Sequence, residues 1–360
     1  MHPDPRRWLV AVATAVLVGA AALPAQQVPL VSPSGFFANL EAYLESLRLQ
    51  AGIPGMSAAV VQDGEIVWER GFGFQNVAAR IRATPDTPYL VGDATATLAA
   101  VLLLQCVEQR RLSLDAPLDT YGISTEDRGV TIRKLLSHTA TDTFSYNPER
   151  FSQLTAVVEW CVPQPYAKTV SHRLLNRLAM RDSVPGTDLA VGNTGPLEEL
   201  YDSEDLGRYR AVVERMAVPY KVDGRGRVEQ GEVPVAGINA AVGLVSTVRD
   251  LARFESAVDS RLLLLDDSLA AAWRPPGGRD GAAAVPSGLG WFVQPHRGAR
   301  VVWHFGLLPN AYSSLVLKLP ERRLTFILLA NSDGLSAPFQ LGSGDVTRSV
   351  FATLFLRLAS

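Results

Sequence analysis

Apolar residues recur at helical spacing from Phe36 to Leu49, with Phe37, Leu40, Tyr43, Leu44 and Leu47 on one face, and Gly52-Ile-Pro-Gly55 ends the run. The period then shortens to that of strands. Ser57 to Gln62 and Glu65 to Glu69 are joined by Asp63-Gly64, a dipeptide suited to the positive φ angles of a tight hairpin. A long apolar helix is predicted over Leu98 to Gln109. Val130 to Ser137 reads as a short helix capped by Thr131, and Phe151 to Trp160 and Tyr166 to Ala179 as further amphipathic helices. Gly224 to Val233 is polar and turn-rich, an exposed hairpin or loop. Another helix starts at Ser246-Thr247 and runs to Val258. Strand character returns at Val301 to Phe305, Tyr312 to Leu319 and Leu324 to Asn331, with Gly306 to Asn310 and Pro320 to Arg323 as connections, before a closing helix over Val346 to Leu358. Strands near both ends around a helical middle predict an α/β (α+β) chain. One antiparallel sheet is built from distant segments and flanked by helices from the two ends, with a mainly helical insertion.

Composition narrows the partners. A net charge of −2 gives no electrostatic reason to expect nucleic acid or an anionic membrane surface. Lysine occurs only at Lys134, Lys168, Lys221 and Lys318. Arg6, Arg7, the apolar run Trp8 to Ala22 and the small residues up to Ala25 read as an export signal over 1–25, cleaved near Ala22 to Ala25 or kept as an anchor. No later stretch is long and apolar enough to span a membrane, so a periplasmic or extracellular location is expected. Export makes a Cys106–Cys161 disulfide permissible, but two buried free thiols fit the spacing equally. No metal-ligand spacing, phosphate loop or cofactor motif is present, so no cofactor or metal is expected. Gly277 to Ala284 is a low-complexity loop.

The stretch PYLVGDATATLAAVLLLQCVEQRRLSLDAPLD, from Pro88 to Asp119, resembles the active-site helix of the serine β-lactamase and penicillin-binding-protein-like hydrolases. The same holds for the opening hairpin, TIRKLLSHT, RLAMRDS, GLVSTVRDLARF, SGLGWFV, WHFG and LLANSDG, in that order, over Phe36 to Leu358. The resemblance implies one family domain over 28–358, with 28–92 and 287–358 containing the sheet and 93–286 mainly helical. It also implies a Ser nucleophile with a Lys one turn later. Here Asp93 stands at the Ser position and Ala96 at the Lys position. Tyr146, in Phe144-Ser145-Tyr146-Asn147-Pro148, matches the Tyr of the family's Y-x-N element, but Pro148 takes the Asn position. His304 and Gly306 match the H-x-G element, where His would bond a ligand and Gly would admit its backbone.

No S-x-x-K and no G-x-S-x-G occur in the chain. Carboxylates are poor nucleophiles toward amides, and Asp93 has no base at residue 96. A helix-capping Asp93, bonding the first N–H groups, is the structural alternative. Three functions therefore stand open. The first is an exported non-catalytic member that binds a small molecule or cell-wall peptide. The second is a hydrolase of esters, amides or β-lactams by a non-standard mechanism, through Asp93 or through a water activated by Tyr146 and His304. The third is a structural or interaction domain with a filled cleft. Oligomeric state is not legible.

Overall fold

The computed structural model describes residues 33–125, 127–190, 199–234, 237–275 and 285–359. The export signal and the Gly277 to Ala284 loop lie outside them. In chain order, α1 (Pro33–Gln50) leads into the hairpin β1 (Gly55–Gln62) and β2 (Glu65–Asn76), then the short strands β3 (Ile81–Arg82) and β4 (Tyr89–Leu90). A 3-10 turn, Gly92–Thr95, runs straight into α2 (Ala96–Glu108). The middle contains α3 (Ile132–Leu136), α4 (Pro148–Ser152), α5 (Leu154–Cys161), α6 (Tyr166–Val170) continuing as a π turn, β5 (Val184–Pro185), α7 (Ser203–Glu214), β6 (Tyr220–Val222), β7 (Val228–Gln230), β8 (Leu244–Ser246), α8 (Val248–Asp259) and α9 (Asp266–Ala272). The chain returns through β9 (Phe292–His296), β10 (Ala299–Leu308), β11 (Tyr312–Leu319), β12 (Leu324–Ala330) and α10 (Val350–Leu358).

The two ends of the chain build one seven-stranded sheet, ordered β3-β2-β1-β12-β11-β10-β9 and antiparallel throughout. β1 pairs with β12 from Met56↔Ala330 to Gln62↔Leu324. Strand alternation divides the core in two. Trp303, Phe305, Leu315, Phe326 and Leu328 face α1 and α10, while Val302, Val316, Ile327 and Leu329 join the larger core around α2, α5 and α8. Asp63 and Gly64 both take positive φ in the β1–β2 turn, as the dipeptide predicts.

Thr131 and Thr247 cap α3 and α8 through their hydroxyls, and the polar stretch after Gly224 lies in the β6–β7 hairpin. Several boundaries differ from expectation: β2 continues past Glu69 to Asn76, and the closing helix begins at Val350 after a 3-10 turn from Val346. The Phe151 to Trp160 helix is split into α4 and α5. Tyr166 to Ala179 holds α-helix only to Val170 before the π turn. Gly306 is not in the loop but inside β10, which runs two residues beyond it. There a Cβ would lie 1.9 Å from the Val91 carbonyl oxygen, so the glycine lets the strand pack directly on the chain entering α2.

Cys106 and Cys161 form a disulfide that ties α2 to α5, with their Cα atoms 6.4 Å apart. Among the described residues no helix is long and apolar enough to cross a membrane.

Candidate active site

The turn Gly92–Thr95 holds residue 93 against the far part of β10. β9 stops pairing at Phe292↔Trp303, so beyond Trp303 that edge of β10 has no neighbouring strand. The Leu307 N–H is thereby free of a strand partner and faces the Asp93 carboxyl, whose charged form it favours. Gly92 makes the approach possible: its φ is +59°, and a Cβ there would lie 2.8 Å from the Leu307 nitrogen. Thr95 Oγ1 donates to the Gly92 carbonyl at 2.7 Å and Thr97 Oγ1 to that of Ala94 at 2.9 Å, fixing the turn from within.

Asp93 is not a helix cap. Its backbone lies inside the 3-10 turn, and neither that turn nor α2 receives a side-chain cap. The carboxyl points away from its own helix, toward Tyr146 and Leu307. It is only 7% exposed, and burial raises its pKa to about 7 even though the Tyr146 hydroxyl and the Leu307 N–H pull it down. Tyr146 is held well above the usual phenol range, first by burial and then by the Asp93 charge, so it remains a phenol facing the carboxyl.

Tyr146 arrives on a turn built of rings. Its ring centroid lies 4.6 Å from that of His138, 5.1 Å from Phe305 and 5.5 Å from Phe292, and Phe144 meets Phe292 at 6.2 Å. Gly342 closes the other side, where a Cβ would lie 3.1 Å from the Tyr146 ring. Asn147 and Pro148 serve the backbone. Asn147 Oδ1 accepts the Arg150 N–H at 2.8 Å as the cap of α4, and Pro148 occupies the first turn of that helix. The amide is therefore committed to a helix start.

His304 is buried, and its Nδ1 donates to its neighbour's carbonyl, Phe305 O, at 2.7 Å. Burial pushes it down to about 4. His138 falls further, to about 3, through burial and the proximity of His304. Both rings are neutral at physiological pH. Ala96 is 3% exposed and brings no functional group. Lys318 shares a void of about 10 Å³ with Ala94, Thr97 and His304, but its ammonium is committed elsewhere. It lies 2.6 Å from Glu255 Oε2 and 2.7 Å from Asp259 Oδ1. Among the described residues no group of three metal-ligating side chains comes together.

The structure thus unites Asp93, Tyr146 and the strand carrying His304 and Gly306. Sequence reasoning missed the Leu307 N–H, which no side-chain motif encodes. It also missed the Lys318 pair, whose partners lie 63 and 59 residues away in sequence.

Comparison with known proteins bears on the family and the fold. The Beta-lactamase family model matches residues 36–344. The chain belongs to the β-lactamase family. A D-aminopeptidase of Brucella canis is 28% identical over 188 residues, 50% of this chain and 34% of the relative, so the match spans about a third of that relative's length. The Flp protein of Staphylococcus aureus is 27% identical over 99 residues, 26% of this chain and 20% of that protein. Among solved structures, an octameric penicillin-binding protein homologue from Pyrococcus abyssi superposes with a TM-score of 0.68 at 22% identity, covering 89% of this chain and 77% of that one. SurE gives 0.67 at 21%, over 84% and 73%. These likenesses establish the penicillin-recognising fold for the β-lactamase-family chain described here.

Proposed function

We propose that this chain is an exported, non-acylating member of the β-lactamase family, acting by binding rather than by covalent hydrolysis. One observation carries the reading: a buried carboxyl stands at the nucleophile's place, turned toward Tyr146 and the Leu307 N–H of its own site. Acyl transfer needs a nucleophile, a base and unoccupied donors for the developing oxyanion. Here a carboxyl stands at the nucleophile's position, residue 96 is an alanine, and the Leu307 N–H already faces the Asp93 carboxyl. The expected ligand class is a small molecule or cell-wall peptide. Export rests on the basic-then-apolar start of the chain and on the Cys106–Cys161 disulfide, a bond favoured in oxidising compartments.

The test is labelling with a fluorescent penicillin and an activated serine-reactive phosphonate, read by gel and intact mass. The wild type is expected to carry no adduct. An adduct on the wild type overturns the reading, and an adduct on Asp93→Ser/Ala96→Lys alone shows that only the nucleophile and base were lost.

One observation favours a second reading. A carboxyl at about 7 sits where a general acid or base works at neutral pH. Hydrolysis by that route would leave no adduct. It would show as turnover of a chromogenic ester that rises through pH 7 and disappears in Asp93→Asn.

A further inference from the structure

A second feature lies at the far end of α2, away from the turn at residue 93. The helix closes through backbone bonds from Arg110 to Val107, and from Arg111 to Cys106 at 2.9 Å. Arg110 takes φ +58° there, the left-handed conformation that such helix ends usually give to glycine or asparagine. Arg110 thus stands on a disfavoured backbone, as do Arg80, Arg261, Arg297 and Arg323. A positive charge complementing the helix end explains the charge but not this site, since Arg111 or any neighbour on an ordinary backbone supplies it equally.

The surroundings give the side chains a use. Arg110 and Arg111 are exposed and line a shallow open groove of about 520 Å³ with Ser113, Asp115, Tyr121 and Arg133. Arg133 is held by Asp115, Nε to Oδ1 at 2.6 Å and Nη2 to Oδ2 at 2.9 Å. Arg110 and Arg111 have no carboxylate partner among the described residues. The disulfide then fixes what lies beside them. Cys161 is pinned to Cys106, one turn before Arg110, so Trp160 is carried to the same end of α2. Trp160 is 47% exposed, and its ring lies 4.7 Å from that of Tyr121, whose hydroxyl accepts the Ser113 N–H at 2.9 Å. An exposed aromatic surface against Tyr121, at the same end of α2 as two guanidinium groups without a carboxylate partner, leaves two demands open, a flat apolar face and an anion.

We propose that this face binds an acidic oligosaccharide, with the C–H face of a sugar ring on Trp160 and a uronate-type carboxylate on Arg110 and Arg111. The open groove suits a chain passing across it rather than an enclosed small molecule. A polynucleotide would meet the same groups, but two adjacent arginines on a chain of net charge −2 give a short anionic footprint rather than a phosphate track. The site is independent of the chemistry at Asp93.

The probe is tetragalacturonate, titrated at low salt by calorimetry and tryptophan fluorescence. Maltotetraose and a short oligo-dT serve as comparators. One saturable site is expected for tetragalacturonate, at least tenfold tighter than for maltotetraose. Trp160→Ala should abolish it, Trp160→Phe should retain part, and Arg110→Gln/Arg111→Gln should weaken it at least tenfold with an unchanged near-UV spectrum. Absence of saturable binding, or binding unchanged in Trp160→Ala or in the arginine variant, overturns the proposal. Oligo-dT binding more tightly through the same residues also overturns it, in favour of a nucleic-acid face.

Discussion

At Asp93 the protonation balance has a sign that can be measured. Its carboxyl titrates near 3.8 when unfolded and about 7 when folded, so between these values the folded state holds a proton that the unfolded state has lost. That contribution is complete below pH 4 and is lost as pH rises toward 7, on the order of 4 kcal/mol for a shift of about three units. His138 and His304 act oppositely. Their folded values of about 3 and about 4 lie below the unfolded 6.5, so their contribution is complete above 6.5 and is lost as pH falls. The wild-type profile therefore mixes both slopes, and the difference between proteins isolates one. Asp93→Asn should gain on the wild type in urea midpoint steadily from pH 4 to pH 7, then run parallel. A constant difference would refute the buried titration. His304→Gln should lose less stability than the wild type between pH 6.5 and 4. The substitution at residue 93 was plain in the sequence, but its environment was not. A helix cap was the alternative that local chemistry offered, and the group the carboxyl faces instead, the Leu307 N–H, comes 214 residues later and on another strand. Local rules do not reach that far.

Among the elements, those set by periodicity and capping chemistry were readable: α1, the β1–β2 hairpin, α3, α8 and the three strands from β10 to β12. Boundaries failed where tertiary contacts decided them. β10 continues past Gly306 because β11 still pairs with it to Leu308↔Tyr312. The Y-x-N resemblance at Tyr146 was also ambiguous in sequence. Asn147 is the cap of α4, so Asn147→Ala should cost about 1 kcal/mol in urea denaturation. It should leave any ligand affinity at Asp93 unaltered. The Cys106–Cys161 link joins two elements separated by 55 residues, and no spacing rule could pair them. The Cys106→Ala/Cys161→Ala protein should be destabilised by about 4 kcal/mol on the chain-entropy estimate. A loss below 1 kcal/mol in the same urea assay would show that packing of α2 on α5 suffices alone.

For the molecule as a whole, the sheet and the helical middle are joined by a charged contact inside an apolar core. Lys318 on β11 is 1% exposed and bonds Glu255 and Asp259 of α8. Lys318→Met should cost about 3–5 kcal/mol, because it strands a buried carboxylate. Lys318→Met/Glu255→Leu should recover much of that loss in thermal or urea denaturation. A double variant as unstable as the single one would show that the pair itself holds the two layers. The disulfide has a last consequence at this scale, and it concerns proteolysis. The chain between Cys106 and Cys161 carries the exposed run Thr141-Asp142-Thr143 just before the aromatic turn. A protease cutting there leaves both halves covalently attached, since the bond bridges the break. Such a nicked molecule runs as one species without reductant and as two with it. Surroundings rich in proteases would thus meet a chain that survives a cut in this exposed loop.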